Sequence, residues 1–221
     1  MEFLKACAGI FATMTSLQNN FSIPTQEISG RNGETYTVRK ASEGDVAATT
    51  LLIRKAYSYW VEQGVPVSPA RQTEQKTREH LIDGGFVVEN DAGELIGTFT
   101  LEEAEIAGKG DRWLVHYSNP IDKIEYSRKK NEGMDPGNRK KLVFKKLAVN
   151  PMIARNGLGR RLYDIAEEYG RVNGYGGVLL ETVVEAEWLY SWYGDMGFEV
   201  IGGVVFDGSQ FETLLLFKNI L

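Results

Sequence analysis

The chain is poor in the residue types that form covalent or metal cross-links. Its 221 residues include a single cysteine, Cys7, and two histidines. One cysteine allows no disulfide within the chain and excludes the zinc sites built on cysteine pairs. We therefore expect no metal cofactor, and a reducing compartment, the cytoplasm.

Long apolar runs and an excess of positive charge are also missing. No run approaches the roughly 20 apolar residues that a membrane helix needs. The apolar start, residues 1–14, is interrupted by Gly9 and Thr13, and its one basic residue, Lys5, is offset by Glu2, unlike a signal peptide. The formal net charge of −5 argues against nucleic acid, whose protein partners carry a basic face. We expect neither a membrane nor a nucleic acid as partner.

The remaining composition is that of a globular protein, with 43% hydrophobic and 25% charged residues. A chain of this length buries roughly 70% of the surface that its unfolded form exposes, so a real core can form. Residues 1–34 have little pattern apart from a turn signal at residues 29–33. The sequence therefore predicts an N-terminal extension over residues 1–34 and one domain over residues 35–221.

Hydrophobic periodicity predicts alternating strands and helices in that domain. The predicted helices cover residues 46–63, 72–82, 157–173 and 185–196. The predicted strands cover residues 35–39, 86–89, 95–101, 141–149, 178–184, 198–201 and 211–217. Residues 102–139 show no clear pattern beyond a candidate strand at 113–117. The fold class is α/β, a mixed central sheet with flanking helices, and a ligand is expected at the carboxyl ends of its parallel strands.

The most informative stretch, residues 146–162, runs from a strand through a glycine-containing loop into a helix. Gly157 and Gly159 have no Cβ, so a phosphate can approach the unpaired N–H groups at the start of the helix. Positive charge around the loop comes from Arg155, Arg160 and Arg161. The alternative is a strand-to-helix turn with glycines for tight packing. A third glycine and a Gly-Lys-Ser/Thr sequence are both missing, so neither the dinucleotide fingerprint nor the P-loop fits.

This stretch resembles motif A of the GNAT N-acetyltransferases, in which Arg/Gln-x-x-Gly-x-Gly/Ala follows a strand that ends in Leu-Ala-Val. Residues 147–149 read Leu-Ala-Val, and Gly157 and Gly159 take the glycine positions. Residues 192–200 resemble the later Phe-Tyr-x-x-x-Gly-Phe segment of the family, and residues 38–45 look like its first strand and helix. Together these segments make the resemblance cover most of the chain.

Two positions depart from the family pattern. Ala154 stands at the first position of the glycine signature, with Arg155 one place along. Ala186 stands near the start of the last helix, where many members carry an asparagine that contacts pantetheine. The departure at Ala154 matters little if backbone groups bind the phosphate.

The resemblance implies the GNAT (acyl-CoA N-acyltransferase) fold and acetyl transfer from acetyl-CoA, used as co-substrate, to a primary amine of a small molecule or peptide. The amine would attack directly, without a nucleophilic residue of the protein. By the same resemblance, the backbone of Leu147 and Val149 would pair with the pantetheine arm. The diphosphate would be held by the amides of Arg155, Asn156, Gly157, Leu158, Gly159 and Arg160.

The resemblance also implies proton-transfer residues. Tyr193 matches the tyrosine general acid of the family, and a tyrosine with a pKa near ~10 is protonated at neutral pH. Its alternative role is an aromatic side chain packed on the sheet. The usual carboxylate position on the strand is occupied by Val143 or its apolar neighbours. Candidates for the base are Glu181, Glu103 and His116, of which Glu181 is preferred.

Charged and aromatic residues leave further alternatives open. Residues 128–146 hold eight basic and two acidic residues, a local charge of +6 that forms either an attracting lip for anions or a solvated loop. The acidic residues Glu181, Glu185 and Glu187 favour a cationic amine or simply complement the helix dipole. An aromatic group lines a substrate pocket or packs in the core; its members are Trp188, Tyr190 and Trp192.

Two other functions compete with acetyl transfer. One is a non-catalytic GNAT-like module that binds CoA or a protein partner, and the other is a different α/β nucleotide-binding enzyme. The sequence fixes neither the acceptor amine nor the oligomeric state, and a homodimer stays open.

Overall fold

The computed structural model describes residues 21–65, 67–118, 121–129, 136–137 and 139–221. The apolar start of the chain, with Cys7, lies outside these residues. Within them the chain forms ten β-strands and four α-helices. The strands are β1 (Gln26–Ser29), β2 (Thr35–Lys40), β3 (Gly85–Asn90), β4 (Leu95–Lys109), β5 (Arg112–Ser118), β6 (Ile121–Arg128), β7 (Lys141–Val149), β8 (Val178–Val183), β9 (Glu199–Val205) and β10 (Glu212–Lys218). The helices are α1 (Val46–Glu62), α2 (Glu74–Gly84), α3 (Leu158–Val172) and α4 (Glu187–Gly194).

The predicted mixed α/β sheet is confirmed. Strands β3 and β4 pair antiparallel, as the predicted hairpin requires. Strands β7 and β8 pair in parallel, and α3 connects them in the sequence. Helix α3 buries Leu158, Leu162 and Ala166 against the sheet, which is the apolar face read from the helical spacing. Thr73 caps α2 by accepting a hydrogen bond from the N–H of Lys76 at 3.2 Å.

Seven of the strands close into a ring. Strand β4 pairs with β7 along one stretch and continues past it to pair with β5. The ring continues through β6, β9, β10 and β8 back to β7. The segment that the sequence left without a pattern therefore supplies the end of β4 and the whole of β5 and β6. The candidate strand at residues 113–117 is part of β5, in which Trp113, Val115 and Tyr117 point inward, whereas the end of β4 and β6 had not been predicted.

The sheet separates two main hydrophobic cores. The larger lies between the sheet and α3, around Phe99, Phe144 and Tyr163. The second fills the inside of the ring, around Val143 and Phe217. A small third cluster under α1 and α2 contains Val46, Leu81 and Val87.

Residues 21–34 pack on the rest of the chain. Strand β1 pairs antiparallel with β2, and Phe21 and Ile23 belong to the larger core. The turn after β1 then carries Arg31 towards the glycine loop before α3. A domain boundary at residue 34 stays a prediction.

Candidate active site

A cleft opens where β7 separates from β8. The two strands pair only at Leu142 and Val143 of β7, opposite Val178 and Leu179. Leu147 and Val149 therefore lie beyond the last residues of β7 that pair with β8. Beyond the paired residues, β7 contains a β-bulge.

The bulge in β7 consists of Lys146 and Leu147. Both lie opposite the single residue Phe99 of β4, because the register shifts between the pairs on either side. Lys146 has a φ of 52°, in the left-handed region that a side chain rarely adopts. The extra residue bends the strand and directs the Leu147 carbonyl towards α1.

Two neighbouring tyrosines come from two helices, and one of them contacts this part of β7. The hydroxyl of Tyr57, in α1, donates a hydrogen bond to the carbonyl oxygen of Leu147 at 3.2 Å. Tyr193, in α4, is 6% exposed, and its hydroxyl makes no hydrogen bond to the described residues. Burial raises the pKa of Tyr57 to about 12, and burial followed by the nearby Tyr57 raises the pKa of Tyr193. Both side chains therefore carry their proton at neutral pH.

The loop before α3 presents a row of unpaired backbone donors. The N–H groups of residues 155, 156, 157, 159 and 160 make no hydrogen bond to the described part of the chain. The N–H of Leu158 differs, because the Oδ1 of Asn156 accepts its hydrogen bond at 2.9 Å. Five of the six predicted diphosphate amides are thus available to a ligand, and Leu158 is occupied.

The two glycines serve different purposes. Gly157 is the N-cap of α3 with a φ of 85°, a conformation that favours glycine. Gly159 has ordinary helical geometry, and a Cβ there would lie 3.8 Å from the side chains of Leu147 and Trp192. The surface at Gly159 is therefore open to a ligand, between the end of β7 and α4.

Arg31 is a candidate ligand-binding residue that sequence reasoning missed. Its N–H donates to the carbonyl oxygen of Asn156 at 2.7 Å, and its side chain lies 3.1 Å from the position of a Cβ on Gly157. The side-chain amide of Asn156 also donates to the hydroxyl of Tyr36 at 3.0 Å. A turn at residues 29–33 was visible in the sequence, but no local signal links it to a loop about 125 residues later.

The three candidate bases occupy different environments. The Oε1 of Glu181 accepts hydrogen bonds from the hydroxyls of Tyr117 and Tyr126, and Glu181 is exposed. Glu103 accepts a hydrogen bond from Tyr175 and pairs with Lys140 at 2.7 Å. His116 is exposed on β5. Glu181 therefore keeps one carboxylate oxygen without a partner among the described residues, whereas both oxygens of Glu103 are used.

Aromatic side chains join the two helices beside the cleft. Trp60 of α1 and Trp188 of α4 stack with ring centroids 5.6 Å apart, although Trp188 is 57% exposed. Trp192 lies beside Gly159, and both Tyr190 and Trp192 pack partly against the larger core. Ala186, the N-cap of α4, is buried and offers no side-chain donor to a ligand.

Three of the seven described cations of the basic segment form ion pairs. Lys129 pairs with Glu212 at 2.6 Å, Lys140 with Glu103, and Lys145 with Glu102. Lys146 is different, because it makes no hydrogen bond or ion pair with the described residues. Burial, then the neighbouring Lys145, lowers its pKa to about 8. Residues 130–135 of the segment lie outside the described part.

Among the described residues, no helix is long and apolar enough to cross a membrane. The same residues contain no cluster of three His, Cys, Asp or Glu side chains arranged to hold a metal ion.

Several solved structures share this fold. An acetyltransferase of the GNAT family from Streptococcus agalactiae 2603 is 18% identical, with a TM-score of 0.55 over 83% of this chain and 95% of that one. A GNAT family acetyltransferase from Listeria monocytogenes 4b F2365 is 16% identical, with a TM-score of 0.54 over 88% and 99%. Spermidine N-acetyltransferase from Vibrio cholerae, in complex with CoA and spermine, is 19% identical, with a TM-score of 0.51 over 83% and 95%. No curated protein sequence matches the chain.

The sequence profile of the Acetyltransferase (GNAT) family matches residues 49–198. This range includes both tyrosines, the bulged strand and the glycine loop, and it spans more than half of the 221 residues. The chain belongs to the GNAT N-acetyltransferase family, whose members are generally acetyl-CoA-dependent acyltransferases.

Proposed function

We propose that the protein transfers the acetyl group of acetyl-CoA to a primary amine of a small molecule or peptide, by direct attack of the amine. The observation that carries this proposal is the row of five unpaired N–H groups at residues 155–160, beside the cleft between β7 and β8. An anion with several acceptor oxygens fits that row, and the N-terminus of α3 favours negative charge.

The glycine loop would hold the diphosphate of the donor. Gly157 permits the turn that aims the N–H groups outward, and Gly159 leaves the surface open. Arg31 adds a cation whose side chain lies beside Gly157. A charge-assisted hydrogen bond from a guanidinium is roughly twice as strong as a neutral one, so Arg31 contributes to affinity as well as position.

The separated part of β7 would bind the rest of the donor. Leu147 and Val149 lie where β7 no longer pairs with β8, so β8 does not compete for the backbone groups on that side of the strand. One N–H of this segment would polarise the thioester carbonyl and stabilise the charge that develops on its oxygen. The thioester supplies the acetyl group, and no residue of the chain needs to form a covalent bond.

Tyr193 would donate the proton to the departing thiolate. A general acid needs an O–H that is not already used, and the Tyr193 hydroxyl has no acceptor among the described residues. Tyr57 is close by, but its proton is held by the Leu147 carbonyl. The geometry therefore favours Tyr193 as acid and Tyr57 as a positioning residue that holds β7 against α1.

Glu181 would take the proton of the incoming ammonium through water. Tyr117 and Tyr126 both donate to its Oε1, which fixes the carboxylate and leaves Oε2 as an acceptor. Cytoplasmic location and the oligomeric state stay predictions.

The test is a titration followed by a turnover assay. Calorimetry with CoA should show binding, and incubation with acetyl-CoA and a panel of primary amines should release CoA and give N-acetylated product by mass spectrometry. Binding without turnover of any amine would instead support the non-catalytic CoA-binding alternative. Absence of CoA binding would overturn the proposal.

A further inference from the structure

A second concave site lies on the other side of the β7 bulge. This basic cavity has a volume of about 320 Å³ and is lined by Ser68, Arg71, Gln72, Thr73, Lys76 and Lys146. Three of these six side chains are cations and the other three are neutral hydrogen-bonding groups. No acidic residue is among the described residues that line it.

Two adjacent lysines on β7 show why the cavity is unusual. Lys145 pairs with the buried carboxylate of Glu102 and lies over the ring of Tyr117 at 4.4 Å. Lys146 makes no such pair, and neither does Arg71, within the described part of the chain. Lys76 contacts Glu79 at 3.1 Å, but both side chains are about half exposed, where water weakens the attraction. The cations of the cavity are therefore not neutralised from within.

The charged groups that surround Lys146 keep the cavity positive. Lys145 is next to it on β7, Lys76 and His80 face it from α2, and Glu181 faces it from β8. Burial, and then the nearby Lys146, Lys145 and Lys76, lower the pKa of His80 to about 3, so this imidazole is neutral at pH 7. Glu181 supplies one negative charge against the two positive charges of Lys76 and Lys146, so the surroundings of Lys146 keep a net positive charge.

The basic cavity is next to the proposed acyl-transfer site. Lys146, which lines the cavity, precedes Leu147, whose carbonyl accepts the hydrogen bond from Tyr57. Because the two residues are consecutive, the same bulge of β7 carries a cation of the cavity and the Leu147 carbonyl. The cavity wall is also held in place, because Arg54 of α1 donates to the carbonyl oxygen of Gln72 at 2.6 Å and the Gln72 amide donates to Thr77 at 3.0 Å.

We propose that the basic cavity binds an acidic group of the acceptor, so that the substrate is a small primary amine that also carries a carboxylate or a phosphonate. Arg71, Lys76 and Lys146 bind the anion, and the amine points towards Leu147. This inference rests on the proposed acetyl transfer and specifies its acceptor. The proposed acceptor carries charges of both signs, unlike a polyamine, which carries positive charges alone.

The test compares matched acceptors with acetyl-CoA. β-Alanine is paired with 3-aminopropanamide, and 2-aminoethylphosphonate with ethylamine, and spermidine serves as the cationic reference. We expect kcat/KM to be at least tenfold higher for the acidic member of one pair, and the pair that shows it tells carboxylate from phosphonate. Equal rates within both pairs, or a preference for spermidine, overturn the inference.

Variants locate the effect. Arg71→Gln and Lys76→Gln should each raise KM for the acidic acceptor about tenfold while kcat changes less than twofold, and KM for the neutral amine should not move. Arg78→Gln is the matched control, since Arg78 is on α2 like Lys76 but pairs with Glu43 outside the cavity. An unchanged KM in both cavity variants overturns the inference.

A binding measurement separates this inference from the proposed function. Glutarate should bind the CoA complex in calorimetry, and the Arg71→Gln, Lys76→Gln double variant should lose that binding while its affinity for CoA is unchanged. Binding of CoA without binding of glutarate overturns the acidic acceptor alone. Failure to bind CoA overturns the acetyl-transfer proposal instead.

Discussion

Tyr57 and Tyr193 are neighbours on two different helices, yet only the Tyr57 hydroxyl is hydrogen-bonded within the described residues. Tyr57 donates to the carbonyl oxygen of Leu147 at 3.2 Å, whereas the hydroxyl of Tyr193 has no acceptor among the described residues. Both are buried enough to raise their pKa values. The pair therefore offers two isosteric substitutions with different expected outcomes.

Tyr193→Phe removes the proposed proton donor. We expect kcat to fall about 100-fold at pH 7, the lower end of general-acid effects, with little change in the affinity for CoA. The measurement is steady-state kinetics across pH combined with CoA calorimetry.

Tyr57→Phe is the matched control, because it also removes one hydroxyl. It should lower the unfolding midpoint, since it leaves the Leu147 carbonyl unpaired, and it should change kcat less than tenfold. If the two variants lose kcat equally, Tyr193 is not the distinct proton donor.

Gly159→Glu places a negative charge at the proposed diphosphate site. A Cβ at this position meets side-chain atoms of Leu147 and Trp192 at 3.8 Å, an ordinary contact, so the fold should accept the change. The helix dipole even stabilises a carboxylate in the first turn of α3. CoA affinity should nevertheless fall about 100-fold, or roughly 3 kcal/mol, in calorimetry.

Gly159→Ala serves as the control for that variant, since it adds the Cβ without the charge. Its CoA affinity should stay within a few-fold of the parent protein. Equal, undiminished affinity in both variants would show that the diphosphate does not lie at Gly159.

Arg31→Ala tests whether the turn after β1 takes part in donor binding. Loss of one charge-assisted hydrogen bond should weaken CoA binding about tenfold. Pantetheine, which has no diphosphate, should bind the variant and the parent protein equally. A variant that binds CoA as the parent does would place the guanidinium outside the site.

Lys146→Met should stabilise the fold at pH 7. The folded-state pKa of Lys146 is about 8, below the ~10.4 of an unfolded lysine, so between these values the unfolded chain binds more protons and stability rises with pH. Below pH 8 Lys146 is protonated in both the folded and the unfolded chain, so the fold bears the full cost of burying its charge. Urea unfolding should therefore show the variant more stable by about 3 kcal/mol at pH 7, a difference that vanishes near pH 10.5.

The neighbouring Lys145→Met is expected to have the opposite sign. It leaves the carboxylate of Glu102, whose side chain is 4% exposed, without its lysine, so the fold should lose stability. If Lys146→Met destabilises the protein at pH 7 as Lys145→Met does, the cation at 146 is not unpaired.

The parts of the site that the sequence predicted are those written in consecutive residues. The loop with Gly157 and Gly159 follows its strand directly, and the start of a helix always leaves unpaired N–H groups. The apolar face of α3 is likewise set by local spacing. Such features need no knowledge of what the chain does elsewhere.

The parts that escaped prediction depend on distant pairings. Arg31 reaches Gly157 only because β1 and β2 stand beside the glycine loop, and Tyr57 reaches Leu147 only through the bulge in β7. Lys146 belonged to a run of basic residues that looked uniform in the sequence. Its carboxylate-paired neighbours come from segments that no local pattern connects to it.

The closed ring of strands has a consequence for synthesis. Strand β6 is joined to β9 by two residue pairs, Ser127 with Gly203 and Arg128 with Gly202, so closure waits for residues that leave the ribosome long after β4, β5 and β6. In the folded protein Trp113 is 5% exposed, and its indole donates to the carbonyl oxygen of Ile201. Until β9 is synthesised, this acceptor is missing and the indole stays exposed to water. The nascent chain must therefore carry an exposed apolar hairpin, the kind of surface on which chaperones act, until its last two strands arrive.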